Sequence, residues 1–282
     1  MFKKFSLLLF ITISNLFSQQ FIFDYSIGSF KNASAFNISS SGFIYVTDSQ
    51  SNEVFKLDTL GNIIKDVGGY GWKESLFDNP VDVFATALNI YVCDKNNHRL
   101  QRFDKDLNFI SQLSTRESDN PDEHFGYPLS CAASNQGDLY ILDSENKRVI
   151  KFDLFGNFIQ NFGGYESGQY SLSDPNKLAV SSSNNIFVID KNGIIIFDQY
   201  GNGLLNLKSP KDIKNINITF DYLTLTSDSS IYLTNLKSSD TFFNEAKFLE
   251  EYKEIKIVGS FFYNQKLYLL TPVEILVYKF LK

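Results

Sequence analysis

The sequence predicts an all-β fold, a β-propeller with six four-stranded antiparallel blades arranged in a ring. The first observation is a short strand phrase, such as Ile44-Tyr45-Val46-Thr47-Asp48, that returns six times in 282 residues. The phrases end at Asp48, Asp94, Asp143, Asp190, Asn235 and Thr271, so the steps are 46, 49, 47, 45 and 36 residues. A fixed period in this range indicates stacked copies of one small unit. The second observation is the content of 28 Phe and 15 Tyr, which favours strands.

The third copy shows the four strands of one blade most clearly. Apolar or alternating segments cover residues 129–133, 139–142, 148–153 and 158–162, and turn clusters of Gly, Asn and Asp separate them. Such a unit cannot bury both faces alone, so the copies must pack on one another. Six phrases therefore predict six blades in a single domain over residues 21–282.

The last copy is one strand short, and the beginning of the domain offers the missing strand. Residues 21–27 resemble the fourth strand of the first copy. We expect them to lie beside residues 274–280 and to close the ring, because closure removes edges that invite aggregation. The fifth copy is irregular, and residues 241–254 fit either a helix with one apolar face or two irregular strands.

The segment after the second phrase carries a recognisable motif. Residues 97–104 read Asn-His-Arg-Leu-Gln-Arg-Phe-Asp, and residues 143–153 repeat its main elements. Pro80, Pro128 and Pro175 lead their copies. This pattern resembles the NHL repeat family, most clearly over residues 35–207. The resemblance implies a propeller that recognises a protein, a peptide or a small ligand on one face.

The first twenty residues predict export. Lys3 and Lys4 precede an apolar segment, residues 5–17, that is too short for a comfortable membrane span. A signal peptide over residues 1–20 predicts a secreted or periplasmic protein without stable membrane insertion; an uncleaved anchor is the alternative. The net charge of −6 becomes about −8 without the two signal lysines (24 minus 32), which disfavours nucleic-acid partners. We expect a monomer.

The chain has two cysteines, Cys93 and Cys131, and both lie in apolar strand segments. Export permits a disulfide, yet both residues are typical of small buried core residues. The sequence does not give the distance that a bridge requires. Unbridged thiols are the expectation, and the bridge remains the alternative.

Aspartates end four of the six phrases. Asp48, Asp94, Asp143 and Asp190 suggest a ring of metal ligands, but each precedes a polar turn in its own copy. Asp side chains accept hydrogen bonds from backbone N–H groups a few residues on and so stabilise turns. We interpret the four as structural, and we expect no metal ligands and no cofactor. A calcium ion stays open, because it needs only oxygen ligands.

The connections between copies hold the candidate binding residues. They carry large aromatic residues beside Gly, and one insertion, residues 115–124, ends in a histidine. Exposed Tyr and Trp offer amphipathic contact area for a partner. The candidates are Tyr70, Trp72, His124, Tyr127, Tyr165 and Tyr170. The alternative is that these aromatic residues pack over the neighbouring copy, and that His124 belongs to a solvated loop.

Together these features favour a binding or scaffolding module for a protein, a peptide or a small ligand, and not an enzyme. The sequence contains no Gly-x-Ser-x-Gly elbow and no P-loop, and no catalytic residue is assigned. The alternative is a metal-assisted hydrolase or lyase, as in lactonase-like and amidating-lyase-like propellers. That function needs polar groups around the central channel, where Asn37 and Asp82 are the candidates.

Overall fold

The computed structural model describes residues 20–191, 193–209, 211–238, 241–249 and 255–281. It confirms the predicted all-β ring of six blades. The innermost strand of each blade contacts the innermost strands of both neighbouring blades, and the first blade contacts the last. The predicted signal peptide, residues 1–20, lies outside the described residues except for Gln20.

The first three blades follow the strand β1 (Gln20–Ile27) and each hold four strands in sequence order. Blade 1 contains β2 (Ala33–Ile38), β3 (Ile44–Asp48), β4 (Glu53–Leu57) and β5 (Ile63–Gly68); blade 2 contains β6 (Pro80–Ala85), β7 (Asn89–Asp94), β8 (Arg99–Asp104) and β9 (Phe109–Leu113); blade 3 contains β10 (Ser130–Ala133), β11 (Leu139–Asp143), β12 (Arg148–Phe152) and β13 (Phe158–Phe162). In every case the first strand is innermost.

The last three blades are less regular. Blade 4 contains β14 (Lys177–Val180), β15 (Ile186–Asp190), β16 (Gly193–Phe197) and β17 (Gly203–Lys208); blade 5 contains β18 (Ile213–Thr219), β19 (Tyr222–Ser227) and β20 (Ile231–Asn235), followed by β21 (Lys247–Phe248); blade 6 contains β22 (Gly259–Tyr263), β23 (Lys266–Leu270) and β24 (Ile275–Leu281), completed by β1.

The hydrophobic core lies between neighbouring blades, because each blade has two apolar faces to bury. The rings of Phe162 in β13 and Phe197 in β16 have centroids 5.1 Å apart across the boundary of blades 3 and 4. Phe36 in β2 and Phe261 in β22 meet at 5.9 Å across the boundary of blades 1 and 6. This burial of apolar surface is the main term that stabilises the ring.

The N-terminal strand closes the ring, as predicted. β1 pairs antiparallel with β24, in a register that runs from Gln20↔Leu281 to Ile27↔Ile275. Phe21 is fully buried in the sixth blade. Because the two strands come from opposite ends of the domain, closure depends on contacts that are very distant in sequence.

Blade 5 departs from the repeat in two ways. Its strand phrase, Ile231–Asn235, forms the third strand, whereas the phrases of the other blades form the second. Its fourth position holds an irregular segment, in which the Ala246 N–H donates to the Ile231 carbonyl at 2.8 Å. The segment continues into β21, which pairs in parallel with β1. The described part of residues 241–254 thus matches the irregular-strand alternative, and residues 250–254 lie outside the described residues.

Helical structure in the described ranges is limited to two 3₁₀ segments, Pro121–Glu123 and Tyr165–Tyr170, both in connections between blades. No helix among these residues combines the length and the apolar character that a membrane crossing requires. The two segments lie in the same connections as the predicted binding residues His124, Tyr127, Tyr165 and Tyr170.

Candidate functional site at the ring axis

The ring has two faces, because successive turns of an antiparallel sheet lie at opposite ends of the strands. The loop face carries the connections between blades, such as residues 69–79, and the turns after each second strand, such as residues 49–52. The mouth face carries the turns after each first strand, such as residues 86–88, and after each third strand, such as residues 58–62. Every innermost strand runs from the loop face to the mouth face.

An open cavity, which we call the mouth, lies where the channel reaches the mouth face. Its volume is about 530 Å³, a size typical of small-molecule sites. Its lining combines apolar side chains with amides and hydroxyls, among them Asn37, Thr86, Asn135, Ser181 and Tyr263. None of the described residues that line it is charged at neutral pH. The mouth therefore suits an uncharged, polar ligand.

A narrower space, the inner channel, continues from the mouth toward the loop face. Asn37 and Phe84 line both spaces, so the two are adjacent. The volume of the inner channel is about 10 Å³, which holds about one water molecule. Its wall includes Asp82, Cys131 and Lys177. A ligand in the mouth could therefore reach these groups only with a small protruding atom or through a water.

The charged wall residues belong to one layer of the ring. In blades 1 to 5, one residue of the innermost strand pairs with the residue just before the last position of the second strand. In blade 6 the corresponding residue pairs with Leu270, which lies just before the end of the strand phrase at Thr271. These layer residues are Ala35, Asp82, Ser130, Lys177, Asn215 and Gly259. One side of the layer is thus polar and charged, and the other side, Gly259 and Ala35, is small.

Asp82 in β6 joins three blades within this layer. Its Oδ1 accepts from Lys177 Nζ of β14 in an ion pair. Its Oδ2 accepts from Ser130 Oγ at 2.7 Å and from the Cys131 N–H at 3.1 Å, both in β10. A register shift in β6 between Pro80 and Asp82 accompanies this placement, as bulges often redirect side chains. Both charged side chains are at least nine-tenths buried, so loss of either one would leave the other uncompensated.

A hard divalent cation does not fit this wall. Asp82 is the one carboxylate among the described residues that line the inner channel, and Lys177 already pairs with it. Asn37 and Asn217 add only neutral amides. Calcium takes roughly six to eight oxygen ligands, and magnesium binds through carboxylates in octahedral geometry. We therefore assign no catalytic step to such an ion.

The two cysteines come together beside the same carboxylate. Cys93 and Cys131 are buried, as predicted, and they are not bridged in this structure. Their sulfur atoms and an oxygen of Asp82 all lie within 4.8 Å of one another. Burial, together with a hydrogen bond to the Cys131 thiol, raises the pKa of Cys93 well above its ordinary value. Without a metal ion, the Cys93 thiol is therefore protonated at neutral pH.

The strand-end aspartates lie elsewhere, at the loop face. Asp48 Oδ1 accepts from the N–H groups of Gln50 and Ser51 at 2.9 and 3.0 Å, and Oδ2 accepts from those of Lys31 and Asn32 at 2.6 and 2.9 Å. Burial by itself would raise the pKa of Asp48, but these four bonds outweigh it and hold the pKa below its ordinary value.

The equivalents of Asp48 have comparable partners. Asp94 pairs with Arg99 at 2.8 Å, and Asp143 pairs with Arg148 at 3.4 Å. Asp190 accepts backbone N–H groups from the preceding connection. Each carboxylate therefore stabilises the loop-face end of its own blade. Within the described residues, the one cluster of possible metal ligands is the group around Asp82.

The predicted binding residues occupy the loop face, opposite the mouth. Tyr70, Trp72 and Tyr165 are 71%, 75% and 98% exposed. Tyr170 instead packs over Gly203 of β17, where an added Cβ would lie 2.1 Å from the Tyr170 ring. Three of the candidates therefore present free aromatic surface, and Tyr170 helps to hold blade 4.

His124 and Tyr127 belong to the connection between blades 2 and 3. The rings of Tyr127 and His98 meet edge to face with centroids 4.1 Å apart, and the Tyr127 N–H donates to His98 Nδ1 at 3.1 Å. His124 Nε2 donates to the Ser118 carbonyl at 2.6 Å. The six candidates are spread over three separate connections.

Three of the layer residues were not predicted from the sequence: Lys177, Ser130 and Asn215. Asp82 and Asn37 were the two polar candidates predicted at the channel. The strand register identifies these residues, because each pairs with a residue near the end of the second strand of its blade. The register can be used only once the strand pairing is known.

Comparisons with known proteins agree with this architecture. The family model of the NHL repeat matches residues 77–103, which include β6, β7 and most of β8, and this confirms the resemblance there. No curated protein matches the chain in sequence.

Several solved structures share the fold at low sequence identity. A streptogramin B lyase is 14% identical with a TM-score of 0.61, and the alignment covers 92% of this chain and 96% of that one. A catalytically inactive virginiamycin B lyase from Staphylococcus aureus with Quinupristin is 13% identical (TM-score 0.60, covering 91% and 99%). A gluconolactonase from Xanthomonas campestris is 11% identical (TM-score 0.66, covering 90% and 88%). At such identity the likeness shows the fold alone.

These structures correct the expectation that the protein is not an enzyme. That expectation treated the ring as a scaffold because no catalytic motif occurs in the sequence. The same ring, over at least 90% of this chain, is the fold of lyases and of a gluconolactonase. The non-catalytic assignment was therefore wrong, because the same fold serves enzymes and a fold does not by itself fix a function.

Proposed function

We propose that the protein is a hydrolase or lyase that acts on a small, uncharged molecule bound in the mouth. The observation that carries the proposal is that an open cavity of about 530 Å³ lies next to the inner channel, which is lined by the buried Asp82–Lys177 pair. Titratable groups buried at the floor of a cleft are candidates for chemistry. The enzymes that share the fold support the same class of reaction.

The two charged groups have complementary roles in such a reaction. Hydrolysis of a ring ester and elimination from an ester both move a proton and place negative charge on an oxygen atom. The Asp82 carboxylate would accept the proton. The Lys177 ammonium group would stabilise the charged oxygen. A single water in the inner channel would lie beside both groups.

The lining of the mouth points to the class of substrate. Asn37, Asn135, Ser181 and Thr86 offer amides and hydroxyls, and the described lining has no ionisable acid or base that is charged at neutral pH. A molecule rich in hydroxyl or amide groups could exchange its hydrogen bonds with water for bonds to this lining. Sugar lactones and cyclic peptide esters have this chemistry.

Turnover assays on the purified full chain test the proposal. The substrates are a panel of sugar lactones and small, uncharged cyclic peptide esters that includes gluconolactone, and product formation is followed by mass spectrometry. We expect Asp82→Asn and Lys177→Met to lower turnover by about 10²-fold or more, the usual size of an acid–base contribution. Lys237→Met is the matched control, since its ammonium group forms an exposed pair with Asp221.

A second variant separates chemistry from folding. Ala87 is exposed at the rim of the mouth, so Ala87→Trp should block the cavity and leave the core intact. We expect lost turnover with an unchanged melting temperature. The proposal is overturned if wild-type protein turns over no member of the panel, with or without added divalent cations, or if the blocked and charge-deleted variants keep full activity.

A second candidate function is recognition of a partner at the loop face. It is favoured by the exposure of Tyr70, Trp72 and Tyr165, which is typical of aromatic residues at binding surfaces. Alanine at all three positions should abolish capture of a protein, peptide or small-ligand partner while the melting temperature stays unchanged. Undiminished capture would remove this face from consideration.

The cellular context remains a set of predictions. We expect an exported, monomeric protein that does not bind nucleic acid and is not inserted in a membrane. Fractionation of expressing cells, mass analysis of the mature N-terminus and sedimentation would test these expectations together.

A further inference from the structure

Three side chains beside the inner channel form a compact group of soft and hard donors. Asp82, Cys93 and Cys131 come from β6, β7 and β10, and each is at most 2% exposed. Their ligand atoms lie within 4.8 Å of one another. The three strands belong to two adjacent blades, so the group is held by the body of the ring and not by loops.

The donor set matches a thiophilic cation. In tetrahedral zinc sites, Zn–S bonds of about 2.3 Å place two sulfur atoms about 3.8 Å apart. The two sulfur atoms lie at most 4.8 Å apart, so their separation exceeds this distance by an ångström or less. Thiolates select zinc and copper(I) over calcium and magnesium. The chemistry thus differs from the oxygen-only site that this wall does not fit.

The surroundings of the group can balance the charge of a bound metal. Two thiolates and one carboxylate would carry three negative charges, and a divalent cation together with Lys177 would neutralise them, as burial of charge requires. Lys177 and Ser130 already hold the Asp82 carboxylate, as outer partners orient ligands in metal sites. The adjoining inner channel has room for about one water as a fourth ligand.

We propose that Asp82, Cys93 and Cys131 form a binding site for Zn²⁺ or a similar thiophilic cation, with an open fourth position on the inner channel. Binding exchanges the two thiol protons for the metal, and the protons pass to solvent. The inference goes beyond the proposed function, because metal binding is measured without any substrate. It departs from the expectation that no residue of the chain binds metal.

Cadmium titration of the reduced full chain tests the site. Cd²⁺ is the probe, added both to folded protein and during refolding, because the site is buried. We expect one equivalent to give the ultraviolet charge-transfer absorption of Cd²⁺–thiolate bonds, to release protons, and to raise the melting temperature. Zn²⁺ should compete for the same equivalent.

Variants assign the ligands and separate this site from the proposed activity. Cys93→Ser and Cys131→Ser should each weaken binding at least tenfold, and Asp82→Asn should weaken it while both thiolates still absorb. His124→Ala is the matched control and should bind normally. Lys177→Met should keep the absorption band, because both thiolates remain, but at lower affinity, because one balancing charge is lost; it also lowers turnover.

Three results would overturn the proposal. The first is absence of the absorption band in protein whose thiols titrate as free after denaturation. The second is binding that survives loss of both cysteines, which would place the metal elsewhere. The third is a disulfide between Cys93 and Cys131 in protein isolated without reductant from its native compartment. Because the wild-type band and thiol count need no variant, poor folding of a cysteine variant does not obscure the outcome.

Discussion

Two buried aspartates, Asp48 and Asp82, have different structural roles, one within a single blade and the other between blades. Asp48 accepts four backbone N–H groups at the end of its own blade. Asp82 accepts from side chains and backbone of two further blades, including the ammonium group of Lys177. Asp48 has counterparts at the same place in three other blades, whereas Asp82 has none in its layer.

The comparison separates two kinds of residue in a repeat protein: those that stabilise a single blade and those that connect several blades of the ring. A residue that recurs in each copy has the same local task each time, here the closing of a turn. A residue that breaks the repeat at the axis meets its neighbours from other copies, as Asp82 meets Ser130 and Lys177. A reactive site at the ring axis therefore requires that the copies carry different residues in the same layer.

The largest effect should come from removing contacts between the two ends of the ring. A chain that begins at Gly28 lacks β1, which exposes the outer edge of β24 and leaves β21 without its sheet partner. We expect it to lose cooperative folding and to aggregate, because the loss of a whole strand is large against a typical stability of about 5–15 kcal/mol. Thermal unfolding against a chain that begins at Gln20 measures this. An unchanged melting temperature would contradict the closure.

The second largest effect on stability should come from loss of the Asp82 carboxylate. Asp82→Ala leaves the Lys177 ammonium group buried without its partner, and we expect destabilisation of about 3–5 kcal/mol. Urea unfolding measures it. The double variant Asp82→Leu with Lys177→Met should recover part of the loss, since it removes both charges. If the double variant is less stable than Asp82→Ala, the pair is not the source of the effect.

Loss of a strand-end carboxylate should cost less. Asp48→Ala leaves four backbone N–H groups without their acceptor, but some of these lie near solvent and can bond to water. We expect the free energy of unfolding, measured in urea, to fall by about 1.5–3 kcal/mol. Turnover and metal binding should be unchanged. A change in either of those two readouts would show that the strand-end carboxylates contribute to the axis after all.

The smallest effect should appear in the pH dependence of stability. The pKa of Asp48 is lower in the folded chain than the ordinary value of about 3.9. Its contribution is therefore fully present above about pH 4 and is lost as the pH falls through the lower, folded pKa. When the pH is lowered from about 5 to about 3, the melting temperature of Asp48→Asn should fall by less than that of the wild type. Parallel curves for the two proteins would contradict the shift.

Much of the fold could be predicted because its signals are local. The phrases of blades 1 to 4 combine period-2 alternation with Asp and Gly turn residues; Gly61, Gly156 and Gly201 have φ values of 90°, 88° and 80°, where glycine is favoured. The prediction weakened in blade 5, where the phrase Ile231–Asn235 is the third strand. An alternating apolar strand has the same pattern whichever position it takes in the blade.

The candidate site could be predicted only in part. Asp82 and Asn37 were found, because polar residues stand out in apolar inner strands. Lys177 was missed, because it lies at the edge of its strand and nothing in the sequence pairs it with a residue 95 positions away. The exposed aromatic residues drew attention to the loop face, whereas the open cavity beside the Asp82–Lys177 pair lies at the mouth face.

The sequence by itself determined the number of blades, their four-stranded plan and the strand that closes the ring, because each follows from patterns within about fifty residues or from matching ends. Only the tertiary structure decided that Asp82 meets Lys177 and the two thiols at the axis. Those neighbours come from different blades, and their approach depends on the register and curvature of the whole ring. No local pattern encodes either property.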